Sequence, residues 1–151
     1  MPEGGSMANL LQTVLVPIAS EDDAVETCEA ILKELDDERS TIHVVHVIEK
    51  AGGAPDKAGV EQREDRAGRI FERVETQLAD EPVSLETEIL YGTDVAETIL
   101  DRARRLEATA IVFTPRGANR WLKLLSGDVE RKLLSHADRP LVVLPRSDQD
   151  A

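Results

Sequence analysis

Residues 110–145 read AIVFTPRGANRWLKLLSGDVERKLLSHADRPLVVLP, and this stretch decides the fold. Ala110–Phe113 is a short run without polar residues, the pattern of a strand covered on both faces. Thr114–Gly127 is a loop region, with or without a helical turn. Val129, Leu133 and Ala137 then recur at helical spacing, and Pro140–Pro145 (PLVVLP) is a last apolar strand bracketed by prolines. Strand, helix and strand in succession make a unit of parallel sheet.

The rest of the chain repeats that unit. Thr13–Ile18 (TVLVPI) is an apolar strand, followed by Ser20 and Asp23 at capping-box spacing. Ala24, Cys28, Ile31, Leu32 and Leu35 then mark a helix over about 22–36. Thr41–Ile48 (TIHVVHVI) is a β-branched strand, and Gly52, Gly53 and Pro55 mark a loop. A charged helix carries Ala67, Ile70, Phe71, Val74 and Leu78 on one face. Over Val83–Leu90 the apolar and polar residues alternate, as in a half-exposed edge strand. Gly92-Thr93-Asp94 then turns into a helix along Val95, Ala96, Ile99, Ala103 and Leu106. The expected fold class is therefore α/β, a doubly wound five-stranded parallel sheet with four flanking helices. Ligands of such sheets bind at the carboxyl ends of the strands, where the strand order reverses. Here that means Pro17–Ser20 and Thr114–Gly127.

Composition narrows the function. The chain has 151 residues, which suits one domain. Residues 1–11 read as a disordered leader, 12–146 as the domain and 147–151 as an acidic tail. The start has no basic n-region and no apolar segment like a signal peptide, and no apolar run approaches a membrane span, so a cytoplasmic location is expected. Cys28 is the one cysteine, which excludes an internal disulfide. A net charge of −12 argues against nucleic acid and anionic membrane as partners. The chain has 30 acidic residues, 13 arginines but only 5 lysines, a halophilic type of composition.

Few residues offer chemistry. His43 and His46 are three apart in a strand, so they point to opposite faces and cannot share a metal. His136 stands at the end of the last helix, where a cation suits the dipole. The acid pairs Asp22-Asp23 and Asp36-Asp37 read as solvated helix ends. Trp121 and its neighbouring leucines read as packing under a loop. No nucleophile–base set and no metal site is legible, so no catalytic residue is assigned and an enzyme is not expected.

The motifs resemble those of the universal stress proteins over about residues 12–146. VLVPIA is similar to that family's opening VLVPxD, and His46-Val47-Ile48 to its HVI. Gly117 and Gly127 stand with nine residues between them, as in the ATP motif Gly-x2-Gly-x9-Gly-Ser/Thr. The closing VERKLLSHADRPLVVLP resembles the family's last helix and strand. The resemblance implies a strand order 3-2-1-4-5, a homodimer paired through the fifth strand at Leu141–Leu144, and ATP between the first and fourth strands. It places nucleotide-binding positions at Pro17, Ala19, Val47, Thr114, Arg116, Gly117, Gly127, Asp128 and Val129. Three of these depart from the pattern. The family's aspartate falls on Ala19, its first motif glycine on Thr114 and its final Ser/Thr on Asp128. An acid at Asp128 would occupy the helix-terminal donors as an N-cap and repel phosphate. Arg116, Arg120 and Lys123 make the same loop locally basic. The implied function is a stress-response module acting through an unnamed protein partner, with a degenerate ATP motif. Mg²⁺ is expected only where a nucleotide binds. The alternatives are an adenine-nucleotide switch and the regulatory subunit of a transporter, a role some relatives take.

Overall fold

The computed structural model describes residues 10–34, 40–50, 57–114 and 127–144. The elements follow in the order β1 (Thr13–Pro17), α1 (Glu21–Glu34), β2 (Thr41–Glu49), α2 (Lys57–Leu78), β3 (Ser84–Gly92), α3 (Val95–Leu106), β4 (Ala110–Phe113), α4 (Gly127–His136) and β5 (Leu141–Val143). The sheet order is β3-β2-β1-β4-β5 and every pairing is parallel. The described residues therefore adopt the expected order 3-2-1-4-5 with four helices.

Side-chain parity builds two cores from the central strands. Val14 and Val16 of β1, Ile42 and Val44 of β2, and Ala110 and Val112 of β4 face one side. There they meet Ala24, Cys28 and Ile31 of α1 and Ile70, Val74 and Leu78 of α2. Leu15, Val45, Ile111 and Phe113 face the other side, against Ala96, Ile99, Leu100 and Ala103 of α3 and Leu133 of α4. Each buried Leu or Ile contributes about 1.5–3 kcal/mol of transfer free energy. The chain runs outward from β1 to β3 and then returns to lay β4 beside β1. Their register runs over Val14–Leu15 and Ala110–Ile111, and folds of this kind bind ligands in a crevice beyond the carboxyl ends of such a strand pair. Thr109 fixes the return: its Oγ1 accepts from Thr13 N at 3.0 Å, and its own N–H donates to Thr13 O at 2.7 Å.

The turn from β3 into α3 is held by two of its residues, Gly92 and Asp94. Asp94 caps α3, its carboxylate accepting from Glu97 N at 3.0 Å. At Gly92 a Cβ would lie 2.0 Å from Thr98 Oγ1, so the glycine is needed for close packing. That hydroxyl is itself held at 2.7 Å on Asp94 O.

The edge strand β3 departs from the expected alternation. Leu85 packs with the first core, but Leu90 is buried in the second. Glu88, expected on a solvated face, accepts from Arg102 Nε at 2.7 Å and pairs with His43 Nε2 at 3.0 Å. Burial alone would raise its pKa, but the hydrogen bonds from His43 and Arg102 outweigh that and hold the carboxyl below its ordinary range. A strand covered by helices on both faces loses the clean period of two. His136, at the end of α4, also meets a carboxylate: its Nδ1 lies 3.3 Å from Glu97 Oε2. Among the described residues no helix is long and apolar enough to cross a membrane.

Candidate functional site

The switch point of the sheet, where strand order reverses between β1 and β4, is flanked by Pro17–Ala19 at the exit of β1 and by Thr114 at the end of β4. Pro17 is buried and lies in register with Val45. Ile18 N–H donates to Val45 O at 2.9 Å, which carries the chain one residue further along β2. His46 Nδ1 lies 2.8 Å from Ile18 O. A carbonyl only accepts, so Nδ1 carries the proton. Burial lowers the His46 pKa, assisted by the Arg66 charge and opposed by the bond to Ile18, so the ring is neutral near pH 7.

Beyond Ile18 the chain enters α1 through a reciprocal cap. Ser20 Oγ accepts from Asp23 N at 3.1 Å, as its spacing predicts. The Asp23 carboxylate turns back and its Oδ2 accepts from Ala19 N at 3.1 Å. Asp23 is not a solvated helix end: it is 2 % exposed, whereas Asp22 is exposed. Its second oxygen accepts from Thr27 Oγ1 at 3.2 Å, and Thr27 Oγ1 lies 2.8 Å from Thr114 Oγ1. A hydroxyl has one proton. Thr27 gives its proton to Asp23, so Thr114 donates to Thr27. The result is a buried relay from the end of β4 through α1 to the amide at the end of β1.

This relay gives Thr114 a place the sequence did not suggest. Its side chain is turned towards α1 and is 1 % exposed, rather than spread over the crevice. Ala19 is half-buried, and its amide is engaged. Val47, also half-buried, packs with the second core one strand away. Gly127, Asp128 and Val129 form the first turn of α4, so Asp128 is the second helical residue and not the N-cap residue expected from sequence. A bond from Lys132 to Asp94 ties α4 to the cap of α3 and holds the Asp94 carboxyl below its ordinary range. Arg116 and Gly117, with Arg120, Trp121 and Lys123, lie outside the described residues, as do Asp36 and Asp37.

Other reactive groups are quiet. Cys28 is buried, and burial pushes its thiol up to about 12, with help from the charges of Asp23 and Glu29. A thiol in that range is not a nucleophile at neutral pH. Among the described residues no three His, Cys, Asp or Glu side chains converge as a metal site.

Sequence reasoning missed Asp23 and Thr27 as residues of the crevice. Their signal was the acid three residues after Ser20 with a threonine four further on, one helical turn along the same face. Asp23→Ala is expected to lower the stability of the fold by about 2–3 kcal/mol, since an unsatisfied buried donor alone costs about 1–3. At roughly 2–4 °C per kcal/mol, the melting temperature falls by about 4–12 °C. Urea unfolding of the two proteins checks this, and equal midpoints would remove the relay from the account.

A doubly wound parallel sheet with a crevice between its first and fourth strands defines the class of protein. Residues 11–145 match the model of the universal stress protein family, and the chain belongs to that family. It is 33 % identical over 81 residues to the stress response protein NhaX of Bacillus subtilis, over 54 % of this chain and 48 % of that protein. The match thus spans about half the length of that relative. Among solved structures, a universal stress protein family member from Burkholderia pseudomallei superposes with a TM-score of 0.69 at 22 % identity, covering 95 % of this chain and 99 % of the other. The universal stress protein of Archaeoglobus fulgidus in complex with dAMP superposes with a TM-score of 0.59 at 18 % identity, covering 87 % and 96 %.

Proposed function

We propose that this universal stress protein is a cytoplasmic, homodimeric stress-response module that works by protein contacts and is not an enzyme. One observation carries the reading: the polar groups at the crevice are already engaged with each other. The Ala19 amide bonds Asp23, and the Thr114 hydroxyl is committed to Thr27. No acid stands at position 19 to hold a nucleoside, and Asp128 adds negative charge to the first turn of α4. That turn is where backbone donors would otherwise receive phosphate. In this reading the ATP motif is degenerate, and Mg²⁺ enters only as a bridge between Asp128 and a phosphate.

The rival reading is an adenine-nucleotide switch. It is favoured by the dAMP complex of the Archaeoglobus relative and by Gly127 at the start of α4. Native mass spectrometry of the protein purified without denaturation separates the two. The expected spectrum carries no adenine nucleotide; a nucleotide bound at one per chain puts the switch first.

A further inference from the structure

On the reading that this protein works by contacts, we propose that the outer edge of β3 docks an extended, basic segment of a partner protein, taken up as a further strand of the sheet.

The open backbone is the first observation. β3 runs for nine residues, Ser84–Gly92, and stands at one end of the order β3-β2-β1-β4-β5. Its inner side is engaged at both ends of the strand. Ser84 N–H donates to Ser40 O at 3.1 Å, and Gly92 O accepts from Lys50 N at 2.8 Å. In an extended strand the N–H and C=O of one residue point the same way, and successive residues alternate. The even-numbered residues therefore face β2, and Leu85, Thr87, Ile89 and Tyr91 turn their main-chain groups outward. Among the described residues no strand pairs with that side. Proteins blunt such edges with proline, lysine or a bulge. β3 holds no proline and no lysine, and its register against β2 runs without a break from Ser84 to Gly92.

Charge selects the occupant. Between Arg73 and Arg102 the sequence carries eight acidic residues and no lysine or arginine. Asp80 and Glu81 are exposed in the turn that leads into β3, and Glu86 is exposed on the strand itself. Among the described residues none of these three forms an ion pair. Glu88, two residues further along the same face, is oriented by His43 and Arg102, which both bond its Oε1. Across a strand pair opposite charges attract and like charges repel. A second β3 would set acid against acid, so this edge disfavours its own copy. Lysine or arginine at every second position of a partner strand suits it. The other face of β3 is apolar: Leu85 packs with the first core, and Tyr91, 43 % exposed, ends the edge. The intervening positions of the partner are therefore apolar. Strand addition of this kind draws affinity from main-chain bonds and specificity from alternate side chains.

The test uses the full chain and three short acetylated peptides. One alternates lysine with valine, one carries the same residues in two blocks, and one alternates glutamate with valine. Amide hydrogen exchange is followed by NMR at constant ionic strength. The alternating basic peptide is expected to slow exchange at Leu85, Thr87, Ile89 and Tyr91 by about tenfold or more, and the other two to leave those rates nearly unchanged. Glu86→Lys, which reverses an exposed charge, is expected to weaken the basic peptide by about tenfold. Thr87→Pro removes an outward N–H that β2 does not use, and is expected to abolish the protection at Leu85 and Ile89. An unchanged melting temperature shows that each variant is folded, and Glu86→Lys decides alone if the proline variant is not. Equal protection by the three peptides, protection outside β3 only, or a Glu86→Lys protein that binds like the wild type overturns the edge. Failure here leaves the crevice as described. A nucleotide found by native mass spectrometry strikes the reading of contacts without altering exchange along β3, so the two failures are separately visible.

Discussion

Asp128→Ser, combined with Ala19→Asp, is expected to raise affinity for ATP by more than a hundredfold. Two charges 4 Å apart repel by about 1 kcal/mol in water and about 4 at an effective dielectric of 20. The attraction of a helix N-terminus for an anion is roughly 0.3–2 kcal/mol. Repulsion from Asp128, in the first turn of α4, therefore outweighs the terminus that would draw a phosphate. Restoring an acid at position 19 adds a polar anchor of about 0.5–1.5 kcal/mol, or more if charged. A combined gain near 3 kcal/mol corresponds to more than two decades at about 1.4 kcal/mol per tenfold. Thr114 contributes differently from its place in the motif. Its side chain does not cover the crevice but ties the end of β4 to α1, so it limits how far the two strands can part. The wild type is expected to bind ATP no tighter than roughly millimolar without divalent metal, and Asp128→Ser alone to recover part of the gain. Calorimetric titration of the three proteins, with and without Mg²⁺, is the measurement. Micromolar binding by the metal-free wild type would sink this account of Asp128.

The second large effect belongs to the other free edge of the sheet. β5 is three residues long, and among the described residues its outer side pairs with no strand. Val142 packs with the first core and Leu141 with the second, while Val143 is 52 % exposed. Leu134, on the helix that leads into β5, is 66 % exposed. Apolar side chains beside an open edge invite a second copy. The protein is expected to be a dimer at micromolar concentration, and Val143→Asp to make it a monomer. An unpaired charge buried in that contact costs about 3–5 kcal/mol, a weakening of at least a hundredfold. Light scattering of both proteins decides it: a monomeric wild type, or a variant that stays dimeric, excludes this edge. Val142→Asp is the wrong probe, because it injures the core instead of the contact.

The strands and helices were legible because each carries a period that burial imposes. Ala24, Cys28 and Ile31 were read as the inner face of the first helix, and they are. Ala110–Phe113 was read as buried, and it is, but a strand without polar residues hides its parity. That is why the inward turn of Thr114 went unseen. Asp23 was hidden for another reason. A capping carboxylate in water and one buried beneath a strand have the same spacing, and only the packing of Thr27 and Thr114 around it tells them apart. The cavity lined by His46, Glu49, Arg63 and Arg66 was invisible because those residues are brought together only by the crossover from β2 to α2. Arg116 and Gly117, the motif residues of the loop before α4, lie outside the described residues.

Cys28 turns the inner surface of α1 into a clock. The residue is 2 % exposed and its thiol is held protonated, so a thiol reagent cannot reach or activate it while the helix is docked. With no second cysteine in the chain, every labelling event reports one opening of that helix from the sheet. When reclosing is faster than labelling, the ratio of the labelling rate to that of an unstructured thiol is the equilibrium constant for opening. The same helix carries Asp23 and Thr27, so that constant measures how firmly the relay beneath the crevice keeps the ends of β1 and β4 in place.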